Sequence, residues 1–214
     1  MTLNKFAVYA VVAATALVGI YFSVASQNVV QSPISESSDS STSNTDASAN
    51  TPSLMISNKQ IAEPKVIVRK NARVVELYDG KKLIKTYKAG LGFAPSGDKE
   101  IEGDGRTPEG EFYVFVKNEK SKFTVSLGLS YPNKEDAGRG LAAGLITESE
   151  AAEINSAIDS RGMPPQKTKL GGEIYIHGAG SNSDWTWGCI ALNDSDILEL
   201  FAIAKIGMPV TILP

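Results

Sequence analysis

The sequence predicts a mainly-β or α+β domain of mixed sheets with a few covering helices, over residues 61–214. Three observations predict it. Short runs rich in β-branched and aromatic residues recur between turn residues. Only two runs carry both a cap signal and a helical pattern. No segment repeats another. Roughly 155 residues make a single domain with a real core.

The elements follow in order. Val66 to Lys70 reads as a first strand. Arg73 to Tyr78 and Lys82 to Lys88 flank Asp79-Gly80, a hairpin signal, because a primed turn needs positive φ. Gly110 to Lys117 alternates as a strand, and Phe123 to Ser130 is another candidate. Thr147-Glu-Ser-Glu150 is a capping-box pattern ahead of a helix over Ala151 to Ile158, with Gly162 as its stop. Gly172 to His177 is a strand that ends on the only histidine. Asn193 can cap a helix from Asp194 to Lys205, with acids in its first turn and Gly207 behind it. Met208 to Leu213 closes the domain as a strand.

Residues 1–60 read differently. Phe6 to Ala25 is a run of 20 residues without a charge, preceded by Lys5. It fits a membrane-spanning anchor or a secretory signal peptide, and its length favours the anchor. Ser23 and Ala25 would suit a cleavage site, so 1–25 is assigned as either. Either way the remainder crosses the membrane, with a cytoplasmic N-terminus. No Cys lies nearby, which excludes a lipoprotein anchor. Ser26 to Ser57 holds 11 Ser in 32 residues and no aromatic. Such a segment buries too little apolar surface to offset its ordering entropy, so 26–60 reads as a flexible linker.

Composition excludes several functions. The chain has 21 Lys and Arg against 24 Asp and Glu, a net charge of −3, which offers no basic surface for nucleic acid. One Cys and one His allow no internal disulfide and no zinc site of the usual Cys and His ligands. No metal or other cofactor is expected. Any Cys–His chemistry must use Cys189 and His177.

Those two residues lie 12 apart in one segment rich in Gly and Trp. A lone Cys can be a small buried hydrophobe, and a lone His a structural residue. Exported proteins seldom keep an unpaired Cys without a reason, and the shared segment favours a catalytic pair. A thiolate is the nucleophile, and an adjacent imidazole can take the proton. Gly188 lets a substrate carbonyl approach the backbone amides.

The segment resembles the catalytic domain of the L,D-transpeptidases, the YkuD-type domain of bacterial cell-wall enzymes. The matches are His177-Gly178, then Thr186-Trp187-Gly188-Cys189-Ile190-Ala191-Leu192-Asn193. Upstream, Gly97 to Glu100, Gly103 to Gly110 and Ser126 to Asn133 are also similar to that family. The resemblance spans about Lys65 to Leu213 and implies a YkuD-like β-sandwich. It implies that Cys189 attacks the stem-peptide carbonyl next to the terminal D-alanine, with His177 as proton acceptor and donor. Gly188 and Cys189 amides, with Thr186, would support the tetrahedral intermediate. The implied partners are peptidoglycan stem peptides, an outer-membrane lipoprotein as one acceptor, and the membrane through the N-terminal segment. The implied location is the periplasm or the outer face of the cytoplasmic membrane. Hydrolysis on the same scaffold and a non-catalytic peptidoglycan-binding module remain alternatives.

Several positions depart from the pattern. Thr186 stands where Ser is usual, Trp187 where His is common, and Ala191 where Arg is common. Arg106 is a candidate to take over carboxylate binding, since an Arg fork suits that group. Gly178 and Trp187 are candidate substrate contacts. Asp184 is a candidate to orient His177, and Trp185 and Trp187 a candidate wall against water.

Overall fold

A computed structural model of the chain describes residues 61–214. The expected membrane or signal segment and the linker lie outside the described residues. Among the described residues, eight strands and three helices run in the order β1 (Pro64–Arg69), β2 (Val74–Asp79), β3 (Lys82–Lys88), β4 (Gly110–Asn118), β5 (Ser126–Leu129), α1 (Lys134–Ala142), α2 (Glu148–Asp159), β6 (Tyr175–His177), β7 (Ile190–Ala191), α3 (Asp194–Ile203) and β8 (Pro209–Leu213). Among the described residues no helix is long and apolar enough to cross a membrane.

The strands form one mixed sheet in the order β3-β2-β1-β8-β4-β5-β6-β7. The β1–β8 and β6–β7 pairs are parallel, and the others are antiparallel. Strand β4 makes the corner. Its first half, Gly110 to Tyr113, pairs with β8, and its second half pairs with β5. The register shifts between Val114 and Val116, the kind of irregularity that turns one sheet into a second layer. The curl brings Val66, Val68, Leu77 and Val210 from one half into one core with Leu127, Ile176 and Ile190 from the other. Helix α3 adds Ile197 and Leu200. Fully burying each such side chain stabilises the fold by about 1.5–3 kcal/mol.

The segment after β3 crosses to the opposite edge. Gly90 and Ala191 exchange both backbone hydrogen bonds, at 2.9 and 2.8 Å, and Gly92 bridges Thr186. These contacts almost close the sheet on itself and hold the Cys189 segment against the first half. A long loop, residues 97–109, packs beside it. Two buried lysines fix this loop: Lys70 Nζ donates to Thr107 O and Glu109 Oε1, and Lys99 Nζ donates to Ile101 O and Asp104 Oδ1.

The structure revises several sequence expectations. The hairpin turn centres on Gly80 and Lys81, with positive φ at Gly80, because Asp79 already pairs with Lys82. The Asp79 carboxylate instead accepts from the Ala62 and Glu63 amides. Helix α1 was not expected; it starts in a capping box between Asn133 and Asp136. The α2 capping box of Thr147 and Glu150 is present as expected. Helix α3 ends at Ile203, short of Lys205, and Asn193 sits at its N-cap without a side-chain cap bond. The Asn193 side chain is engaged by Ser181 Oγ and donates to Asp196. The expected strand over Phe123 to Ser130 shrinks to β5, and that over Gly172 to His177 shrinks to β6.

Candidate active site

Strand β6 carries Tyr175, Ile176 and His177. Its neighbour β7 runs parallel, with Ile176 beside Ile190 and His177 beside Ala191. Cys189 directly precedes β7, and its thiol reaches to Glu173 O just upstream of β6. The sheet thus brings the two singletons to one edge, although a loop of 11 residues separates them in sequence.

His177 is buried, 3% exposed. Its Nδ1 lies 2.7 Å from Gly178 O. A carbonyl can only accept, so Nδ1 carries the proton and Nε2 keeps its lone pair. Phe123 stacks on the imidazole at 4.5 Å and 24°, and Trp185 meets it edge-on at 5.6 Å. Burial lowers the imidazole pKa, against the raising effect of the Gly178 carbonyl. Gly178 has no room for a side chain: a Cβ would stand 2.4 Å from Asp194 Oδ1 and 2.8 Å from Phe123 O. Asp194 Oδ1 accepts from the Ala179 amide and from Thr124 Oγ1, and so holds the exit from β6.

Cys189 is partly buried, and its thiol points at Glu173 O, 3.5 Å away. Burial pushes the thiol up to about 11, while a hydrogen bond from the Tyr175 amide pulls the other way. The loop before it is tightly built. Thr186 Oγ1 donates to Cys189 O at 2.8 Å and accepts from the Gly188 amide at 3.2 Å. Gly188 has φ 125°, and a Cβ there would collide with Arg106 O at 2.7 Å. Only glycine suits that position.

The other candidates fall as follows. Thr186 is buried as a loop brace. The Gly188 amide expected to face an oxyanion is bonded to Thr186 Oγ1. Arg106 meets the cysteine loop through its carbonyl, while its guanidinium donates to Asp98 O and Glu100 Oε1. Ala191 is buried between His177 and Gly90. Trp187 is 70% exposed and rests edge-on against Phe93 at 4.9 Å. Trp185 meets the imidazole edge-on, with its Nε1 donating to Gly180 O.

Asp184 does not orient His177, because Gly178 O already holds Nδ1. Its carboxylate accepts from Arg73 and from the Leu91 amide instead. Sequence reasoning also missed Phe123, Tyr175 and Asp194. Only Asp194 left a signal, and it was read as a helix-dipole partner. Among the described residues no group of three or more His, Cys, Asp and Glu could hold a metal ion.

The family model for YkuD, the L,D-transpeptidase catalytic domain, matches residues 63–212. Similar solved structures include the helical cell shape determining protein Pgp2 from Campylobacter jejuni, at 25% identity, covering 73% of this chain and 52% of that one, with a TM-score of 0.49. An L,D-transpeptidase from Mycobacterium smegmatis is 12% identical over 72% of this chain and 59% of its own, with a TM-score of 0.43. L,D-transpeptidase 1 from Mycobacterium tuberculosis is 12% identical over 71% and 62%, with a TM-score of 0.42. This chain spans about half the length of the Pgp2 chain. No curated protein sequence matches it.

Proposed function

This chain belongs to the YkuD family of L,D-transpeptidase catalytic domains, and on that premise we propose that it is a cysteine acyltransferase acting on peptidoglycan stem peptides. One observation carries the reading. His177 ends β6 beside Ala191 of the parallel strand β7, Cys189 directly precedes β7, and the Nδ1 contact to Gly178 O leaves Nε2 free to accept a proton.

In the proposed reaction the thiol gives its proton to Nε2 as Sγ attacks the stem carbonyl before the terminal D-alanine. The tetrahedral oxyanion draws on the Cys189 amide, and on the Gly188 amide once it exchanges its 3.2 Å bond to Thr186 for the stronger charged acceptor. The imidazolium returns the proton to the leaving D-alanine amine, and a thioester remains on Cys189. An amine from a second stem, a lipoprotein lysine or a D-amino acid then takes the acyl group. Trp185 and Phe123 cover the imidazole and limit water at that step. Such a substrate places the domain outside the cytoplasmic membrane, which agrees with the apolar segment Phe6 to Ala25 as its anchor or export signal.

A second reading has its own support. Ala191 is buried where the family commonly has Arg, and the Arg106 guanidinium is engaged by Asp98 and Glu100. Neither position then offers an acceptor's carboxylate a free cation, and water can take the acyl group, giving an L,D-carboxypeptidase or endopeptidase. Incubation with a tetrapeptide-bearing muropeptide, followed by mass spectrometry, separates the two. Cross-linked dimers support transfer, and shortened stems support hydrolysis. Cys189→Ala is expected to lower either activity by about 10³-fold or more. A Cys189→Ala protein that keeps full turnover defeats both readings.

A further inference from the structure

The Asp184 carboxylate is the most heavily bonded group in the loop between β6 and β7. Both of its oxygens accept from Arg73 Nε, at 3.1 and 2.9 Å, and Oδ2 also accepts from Arg73 Nη2 at 2.8 Å. Oδ1 accepts from the Leu91 amide at 2.9 Å. Arg73 in turn donates through Nη1 to Lys70 O. One carboxylate therefore ties together the start of β2, the segment that leaves β3, and the loop that approaches the imidazole. Asp184 directly precedes Trp185, whose ring meets both His177 and Phe123.

We propose that Arg73 and Asp184 form a clamp that positions the Trp185 loop over the His177 imidazole. They are positioning residues, and their bearing on catalysis rests on the function proposed above. The two-pronged geometry needs the planar guanidinium fork, which a lysine ammonium does not supply. Releasing the clamp lets Trp185 lift and water reach the ring. The charged imidazolium is then better solvated, so its pKa climbs.

Charge alone predicts something different. Loss of the Asp184 carboxylate would remove a negative neighbour and lower the pKa, and exchange of Arg73 for Lys would leave it unchanged. The other groups around the ring stay the same in these variants. They are Cys189 on the neighbouring strand segment, Tyr175 on β6, Lys122 at 5.0 Å over the Phe123 ring, and Asp194 on α3.

The test is an NMR titration of the full chain labelled at histidine Cε1. The sequence has one His, so one imidazole signal reports the site without assignment. The variants are Asp184→Asn and Arg73→Lys, each required to keep the near-ultraviolet circular dichroism of the wild type. If Asp184→Asn fails to fold, Arg73→Lys makes the same discrimination. The clamp predicts that the imidazole pKa rises in both, towards the ordinary value of about 6.5. An unchanged or lower value in Asp184→Asn, or an unchanged value in Arg73→Lys, overturns it. The titration does not depend on turnover. A wild type that leaves muropeptides untouched would defeat the functional reading and leave the clamp standing.

Discussion

At pH 7 Cys189 and His177 both begin neutral. Burial pushes the thiol up to about 11 and holds the imidazole below its ordinary value. The thiol leans on Glu173 O, not on the ring. In the proposed reaction such a neutral pair makes its nucleophile only as the proton moves to Nε2 during attack. Two pH dependences follow. Alkylation of Cys189 by iodoacetamide should rise with pH to a midpoint near 11, well above an ordinary thiol. A midpoint at or below about 7 would mean a preformed ion pair. The proposed reaction requires the unprotonated imidazole, so kcat/KM should fall on acidification only below the ordinary imidazole range of about 6.5. An acid limb centred above 7 contradicts the buried ring.

The elements divide into those whose cause is local and those whose cause is the fold. Helix α2 is local: Thr147 Oγ1 accepts from the Glu150 amide, and the Glu150 carboxylate accepts from the Thr147 amide. Thr147→Ala should cost about 0.5–2 kcal/mol, read by urea denaturation. Because α2 packs with α1 around Ile154, away from β6 and β7, muropeptide turnover should stay unchanged. A loss of turnover in the folded variant would mean that the helical pair reaches the site. The capping box and the strands β1 and β4 were legible in the sequence because each is set within a few residues, although β4 buries Phe112, Tyr113 and Val114 in a row where alternation was expected. Helix α1 was not, since Gly138 and Gly140 weaken its propensity and its Asn133–Asp136 box is easily taken for a turn. Strand β7 has only two residues and exists because β6 and Gly90 flank it. That the loop leaves the sheet after His177 and returns beside it at Cys189 was legible from the spacing. The Gly178 carbonyl, the Phe123 stack and the partners of Asp184 were not, because each depends on chain brought from another part of the sequence.

On the scale of the whole molecule, the curled sheet makes the site a product of closure. The first half pairs with the Cys189 segment along residues 90–92, which bond to Ala191 and Thr186. Gly90 is tightly enclosed at that seam: a Cβ there would sit 2.3 Å from Ser183 O, a backbone atom that cannot swing aside. Gly138 is its control, since it lies inside α1 with nothing within 4 Å of a built Cβ. Gly90→Ala should therefore force the seam apart and destabilise the domain by about 1–3 kcal/mol, the usual cost of overpacking. Gly138→Ala should stabilise it by up to about 1 kcal/mol through helix propensity. Both halves share one core, so unfolding should remain a single cooperative transition in each variant. Urea denaturation followed by Trp fluorescence and by far-ultraviolet circular dichroism checks this, because both Trp residues lie next to the seam while α1 and α2 pack together away from it. Coincident curves with the midpoint lowered in Gly90→Ala and raised in Gly138→Ala support closure as part of the global fold. If the fluorescence transition of Gly90→Ala separates and comes first, the seam opens on its own, and the catalytic edge is a locally stable unit laid against the rest of the sheet.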